Sequence, residues 1–111
     1  MPTLLTVAET PEYLRRADRL LSIAERIEVV EHLAAHPAAG DLIRGTGGVR
    51  KLRWARGARG KSGGVRVIYY FHSEAMPLYL LTVFGKNEKA DLSGAERKEL
   101  AALVRWLKTG A

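Results

Sequence analysis

The chain contains no cysteine, which excludes a disulfide framework and any thiolate metal site. With nothing that requires an oxidising compartment, the expected setting is the cytoplasm. No apolar run approaches the roughly 20 residues of a membrane-spanning helix. The opening Met1-Pro2-Thr3-Leu4-Leu5 lacks a basic region ahead of an apolar stretch, so neither a signal peptide nor a membrane partner is expected. The 111 residues suffice for a single domain, residues 1–111, with one modest core.

A second absence is local. Between Asp41 and Glu74 there is no acidic residue, yet Arg44, Arg50, Lys51, Arg53, Arg56, Arg59, Lys61 and Arg66 all fall there. Those eight cations exceed the whole chain's net charge of +6, so the remainder is slightly acidic. Charge this concentrated predicts a polyanionic partner rather than a generally basic surface.

Thr3–Val7 reads as a short first strand. Thr10-Pro11 has the form of an N-cap followed by proline at the first helical position. Apolar residues at 13, 14, 17, 20 and 21 then trace one helix face. Ser22 and Glu25 form a capping-box pair that opens a second helix, with Ile23, Ile27, Val30, Leu33 and Ala34 as its expected buried stripe. His36-Pro37 ends it. Eight of the eleven glycines lie between Gly40 and Gly64. Within that stretch Val49–Ala55 alternates as a strand, with Val49, Lys51 and Arg53 on one side and Arg50, Leu52 and Trp54 on the other. Residues 56–64 are turn-forming. Val65–Phe71 and Pro77–Phe84 are strands rich in β-branched, aromatic and aliphatic residues, the second expected to be central. Ser93 and Glu96 open a final helix with Leu100, Leu103, Val104 and Leu107 inward. The predicted fold is α+β, in the order β-α-α-β-β-β-α, an antiparallel sheet with helices packed on one face.

Two familiar motifs fail. Gly60-Lys61-Ser62 resembles the end of a phosphate-binding loop, but Ala55 stands where that motif needs glycine and a strand follows instead of a helix. His32 and His36 share a helix face at i, i+4 without the glutamate of a zinc-peptidase motif, and read as exposed helix histidines. No metal and no cofactor are expected. The cations on the strands are more informative. Lys51 and Arg53 share a side, Arg66 is the sole charge in its apolar strand, and Lys86 follows the third strand. A half-buried arginine there requires either an anion or a carboxylate such as Glu74 or Glu88.

The stretch GTGGVRKLRWARGARGKSGGVRVIYYF, followed by YLLTVFGKNEKADLS and a closing helix, resembles the RelE/HigB-like toxins of type II toxin–antitoxin systems. The likeness is close from about Gly40 to Leu107 and looser over the helical hairpin. It implies a small RelE-like fold and a ribosome-dependent messenger-RNA endoribonuclease that stops translation. It also implies a helix-turn-helix antitoxin as partner, with operator DNA reached only through that antitoxin. By motif the family's catalytic cations fall on Lys51, Arg53, Arg66 and Lys86. The tyrosine that some members carry shortly afterwards is missing; Asp91 lies in that region, leaving Tyr70 or His72 to take the role.

Such a site implies metal-independent attack by a ribose 2′-hydroxyl on the adjacent phosphorus. Lys51 or Arg53 would favour the deprotonated nucleophile, Lys51 being the better base. Arg66 would stabilise the phosphorane and Lys86 the leaving oxygen. Arg50, Arg56, Arg59 and Lys61 would hold ribosomal RNA, and Tyr70 or Trp54 could stack on a base. Two other readings keep the fold: a toxin that binds DNA gyrase without cutting RNA, and a non-toxic nucleic-acid-binding domain.

Overall fold

A computed structural model describes residues 5–55 and 64–109. Its elements are β1 (Val7–Glu9), α1 (Pro11–Leu20), α2 (Ile23–Ala35), β2 (Asp41–Leu42), β3 (Val49–Trp54), β4 (Val65–Tyr70), β5 (Leu78–Gly85) and α3 (Gly94–Thr109). They form an α+β fold around a five-stranded sheet in the order β1-β5-β4-β3-β2.

The helix starts follow the local chemistry of the sequence. Thr10 accepts from the Tyr13 N–H at 3.3 Å, and its hydroxyl donates to the carbonyl of Leu80 at 2.8 Å. One side chain thus caps α1 and ties it to β5. Ser22 with Glu25 and Ser93 with Glu96 form reciprocal backbone–side-chain pairs of 2.8 and 3.1 Å at the starts of α2 and α3. The α2 stripe is corrected. Val29 and Leu33 are the fully buried pair, whereas Ile23 is 76% and Ile27 52% exposed. The first strand is also displaced: Val7–Glu9 pairs with Leu78–Leu80, while Leu5 donates to the Ala34 carbonyl at 3.3 Å.

Two features of the sheet differ from expectation. β1 runs parallel to β5, so the sheet is mixed. The helices also cover both faces. Tyr13, Ala17, Leu21, Val29 and Leu33 pack on Leu52, Val65, Val67, Tyr69, Leu80 and Val83. Val104, with Leu100 and Leu107, packs on Val49, Ile68, Tyr70, Leu81 and Phe84 from the opposite side. The reason lies in β4 and β5, which are apolar on both faces instead of alternating. β5 is interior, between β1 and β4, as its composition suggested. A bulge in β5 shifts the register between Ile68↔Thr82 and Tyr69↔Leu80, leaving Leu81 as the extra residue.

The turn into β3 depends on glycine at one close approach. Gly48 has φ 125°, and a Cβ there would lie 3.1 Å from Cε1 of Tyr70. Thr46 closes the same turn from inside, donating to the Ile43 carbonyl at 2.7 Å and accepting from the Val49 N–H at 3.1 Å. With that end of β3 packed beneath α3, the basic residues further along remain uncovered by the helix's apolar stripe.

Candidate functional site

β3 and β4 pair antiparallel with Arg53 directly opposite Arg66, and Arg66 faces Phe84 of β5 on its other side. Directly opposed residues place their Cα atoms about 4.5–5.5 Å apart, so the two arginines rise as neighbours from one face. Arg53 is exposed and Arg66 half-buried. The Arg66 guanidinium donates to the Val65 carbonyl through a long 3.4 Å contact. Neither arginine has a carboxylate partner among the described residues. Glu88 instead accepts from the Gly85 N–H at 2.6 Å and lies 3.9 Å from Arg16. Opposed like charges destabilise a sheet, by roughly up to 1 kcal/mol on the scale of cross-strand pairs. An anion laid across them removes that penalty.

Lys86 lies one residue past β5 and is exposed. Its N–H donates to the Gly64 carbonyl at 3.0 Å, continuing the β4–β5 ladder beyond the Val65↔Gly85 pair. Lys86 is therefore at the Arg66 end of the sheet. Nearby, Lys89 sits 4.9 Å from the ring centroid of Phe84 and pairs with Glu96. The sequence reading missed this contact, which only the folded β5–α3 connection creates.

Lys51 shares the Arg53 face, and a carboxylate distant in sequence reaches it. Its Nζ lies 3.2 Å from Oδ1 of Asp91, whose other oxygen lies 3.4 Å from Nη2 of Arg97. The Leu92 N–H donates to the same Oδ1 at 2.8 Å. That backbone bond, followed by the Lys51 and Arg97 contacts, holds the Asp91 carboxyl below the usual range. Asp91, in the stretch where the resemblance implies a tyrosine, is thus an anchor for Lys51.

The expected RNA-gripping residues separate. Arg50 points to the helical-hairpin face, where its Nη1 donates to the carbonyls of Gly40 at 2.7 Å and Ala38 at 3.3 Å. It acts as a clasp on the α2–β2 connection. Tyr70 is 1% exposed, packed in the α3-side core, with its ring stacked 6.2 Å from that of His72. Burial pushes its phenol upward, and the enclosed ring has no face open to a base. Tyr70 is also four residues from Arg66, about 13 Å along the strand, and His72 lies beyond it, so neither stands beside that arginine. Trp54 packs against the hairpin core and lies 5.4 Å from the ring of His32. His32 is therefore a partly buried packing residue rather than an exposed one. Arg56, Arg59 and Lys61 lie outside the described residues.

The arrangement combines a two-arginine cradle, an anchored lysine and a terminal lysine on three adjacent strands or their ends. Such a cluster suits a phosphodiester whose negative charge increases during reaction. Comparison with known proteins agrees with this architecture. A solved structure of the E. coli toxin RelE, a double arginine-to-alanine mutant in the free state, is similar in fold, with a TM-score of 0.58 at 15% identity. The match covers 89% of this chain and 95% of that one. The model of the RelE toxin of the RelE/RelB toxin–antitoxin system matches residues 13–109. The chain belongs to the RelE toxin family.

Proposed function

We propose that this toxin is a metal-independent endoribonuclease that cuts messenger RNA on the ribosome and so inhibits translation. Family membership makes it the toxin of a toxin–antitoxin system and gives it an antitoxin as partner; the proposal extends to an antitoxin of the helix-turn-helix class. The observation that carries the nuclease reading is the Arg53↔Arg66 pair, opposed in register and without a carboxylate among the described residues.

The chemistry follows from placing a phosphate on that pair. A ribose 2′-oxygen forms a bond to phosphorus as the bond to the 5′-oxygen breaks. The products are a 2′,3′-cyclic phosphate and a 5′-hydroxyl. The 2′-oxygen loses a proton and the 5′-oxygen gains one. Negative charge accumulates on the non-bridging oxygens at the pentavalent stage, where Arg66 and Arg53 donate to it. One such contact is typically worth about 3 kcal/mol of transition-state stabilisation. Lys86 stands at the leaving-oxygen end. Since the attack needs only orientation, charge stabilisation and proton transfer, no step calls for a metal.

The experiment is expression in bacteria with cleavage mapped on a translated message, followed by reconstitution with purified ribosomes. Ribosome-dependent cuts with 5′-hydroxyl ends are expected. Growth arrest with intact message and inhibited gyrase would overturn the nuclease reading in favour of gyrase binding. Absence of any arrest would remove both.

A further inference from the structure

We infer that Asp91 is a positioning residue that holds Lys51 as a fixed cation, so that Lys51 acts on the 2′-hydroxyl through its charge and not as the base. This inference rests on the nuclease reading. It departs from the expectation that clustered positive charge would make Lys51 the base.

The sequence separates the two residues by 40 positions, and the fold brings their charged atoms to 3.2 Å. The Lys51 side chain is only 21% exposed. Asp91 is itself immobilised. Its Oδ1 takes the Leu92 N–H, and Arg97 from the first turns of α3 lies at its second oxygen. Leu92 is buried in the α3-side core, and Ser93 and Glu96 cap the helix that follows. The carboxylate is therefore tied to the start of α3, and it fixes the end of the Lys51 side chain on the face that carries Arg53.

A general base must offer a lone pair to the proton it removes. A lysine ammonium has three N–H donors and no acceptor lone pair, and one of those donors is committed to Asp91. What it supplies is positive charge beside the 2′-oxygen, which favours loss of that proton to water. The 2′-oxygen then closes on phosphorus, the bond to the 5′-oxygen breaks, and the 5′-oxygen takes up a proton. The carboxylate also offsets the repulsion between Lys51 and Arg53, whereas no carboxylate among the described residues does so for the Arg53↔Arg66 pair.

The test uses the full chain on programmed ribosomes under single-turnover conditions, with thermal unfolding to verify each variant's fold. Lys51→Arg keeps the charge but cannot act as a base at working pH, and should retain activity within about tenfold. Lys51→Met should lose about 100-fold or more. Asp91→Asn should lower the cleavage rate about tenfold with little change in the half-saturating ribosome concentration, and Asp91→Glu should restore most of that loss. Carbon-13 NMR should place the Asp91 titration below the ordinary carboxylate range in the wild type and higher in Lys51→Met.

Loss of activity in Lys51→Arg equal to that in Lys51→Met would overturn the inference and return the base role to Lys51. Full activity in Asp91→Asn, or an Asp91 titration unmoved by Lys51→Met, would overturn it too. A wild-type protein that cuts nothing would overturn the nuclease reading instead, and with it any catalytic role for the pair.

Discussion

Strand β3 carries arginine on both of its faces, and the two faces treat it differently. On the hairpin side, Arg50 donates to the Gly40 and Ala38 carbonyls and closes the path from α2 into β2. On the α3 side, Arg53 stands opposite Arg66, and neither meets a carboxylate among the described residues. Lys51 lies between these extremes, on the Arg53 face but anchored to Asp91. The difference shows how a charge cluster in a sequence divides on folding. Arg50, held by two carbonyls of the connection, supports the structure, whereas Arg53 and Arg66, with a long 3.4 Å contact from Arg66 to the neighbouring Val65 carbonyl, leave binding capacity for an external anion.

The largest expected effect tests the unmatched pair. Arg66→Ala should lower RNA cleavage by about 10²–10³ while leaving the thermal unfolding midpoint unchanged or slightly higher, since a cross-strand repulsion is relieved. Normal cleavage in this variant would break the functional half of the comparison. Arg50→Ala should have the complementary signature, lowering stability by about 1–3 kcal/mol with cleavage per folded molecule unchanged. Denaturant unfolding and ribosome assays on the same preparation separate the two effects. A stable Arg50→Ala protein with weakened ribosome binding would show that both faces grip RNA.

The smallest effect concerns the matched carboxylates at the α3 end. The Leu92 N–H, Lys51 and Arg97 lower the pKa of Asp91, while Lys89 and the Ser93 N–H lower that of Glu96. A depressed folded-state pKa means that the unfolded chain binds more protons. The stabilisation is therefore fully present above the unfolded values, about 3.9 and 4.3, and disappears as pH falls through the folded ones. Both side chains are more than a third exposed, so each contribution should be below about 1 kcal/mol. Asp91→Asn should unfold with a shallower acid dependence than the wild type in an acid titration followed by circular dichroism. An unchanged acid slope would remove the anchor from the comparison.

Much of the fold was legible because its signals are local. Thr10-Pro11, Ser22 with Glu25, and Ser93 with Glu96 satisfy backbone donors within one turn, and each opens its helix where the pattern places it. The α2 stripe differs from expectation because IAERIEVVEHLAA offers two apolar lines. Periodicity identifies both, but the packing of the hairpin on the sheet selects Val29 and Leu33 over Ile23 and Ile27. Covering of both sheet faces had a visible sign in VRVIYY and LYLLTVF, which lack alternation. The parallel β1–β5 pair had none, since strand direction depends on the path of the intervening chain.

The site divides along the same line. Chain order alone determined that the basic residues are concentrated in one segment, that Lys51 and Arg53 share a strand face, and that Arg66 is the lone charge of its strand. The two-residue repeat of an extended backbone is enough for the shared face. Tertiary structure decided that Arg53 opposes Arg66, that Arg50 closes a loop, that Tyr70 is enclosed, and that Asp91 reaches Lys51. Each of these depends on strand register or on a contact across tens of residues. Such contacts are selected by burial of the whole core, which no local pattern contains.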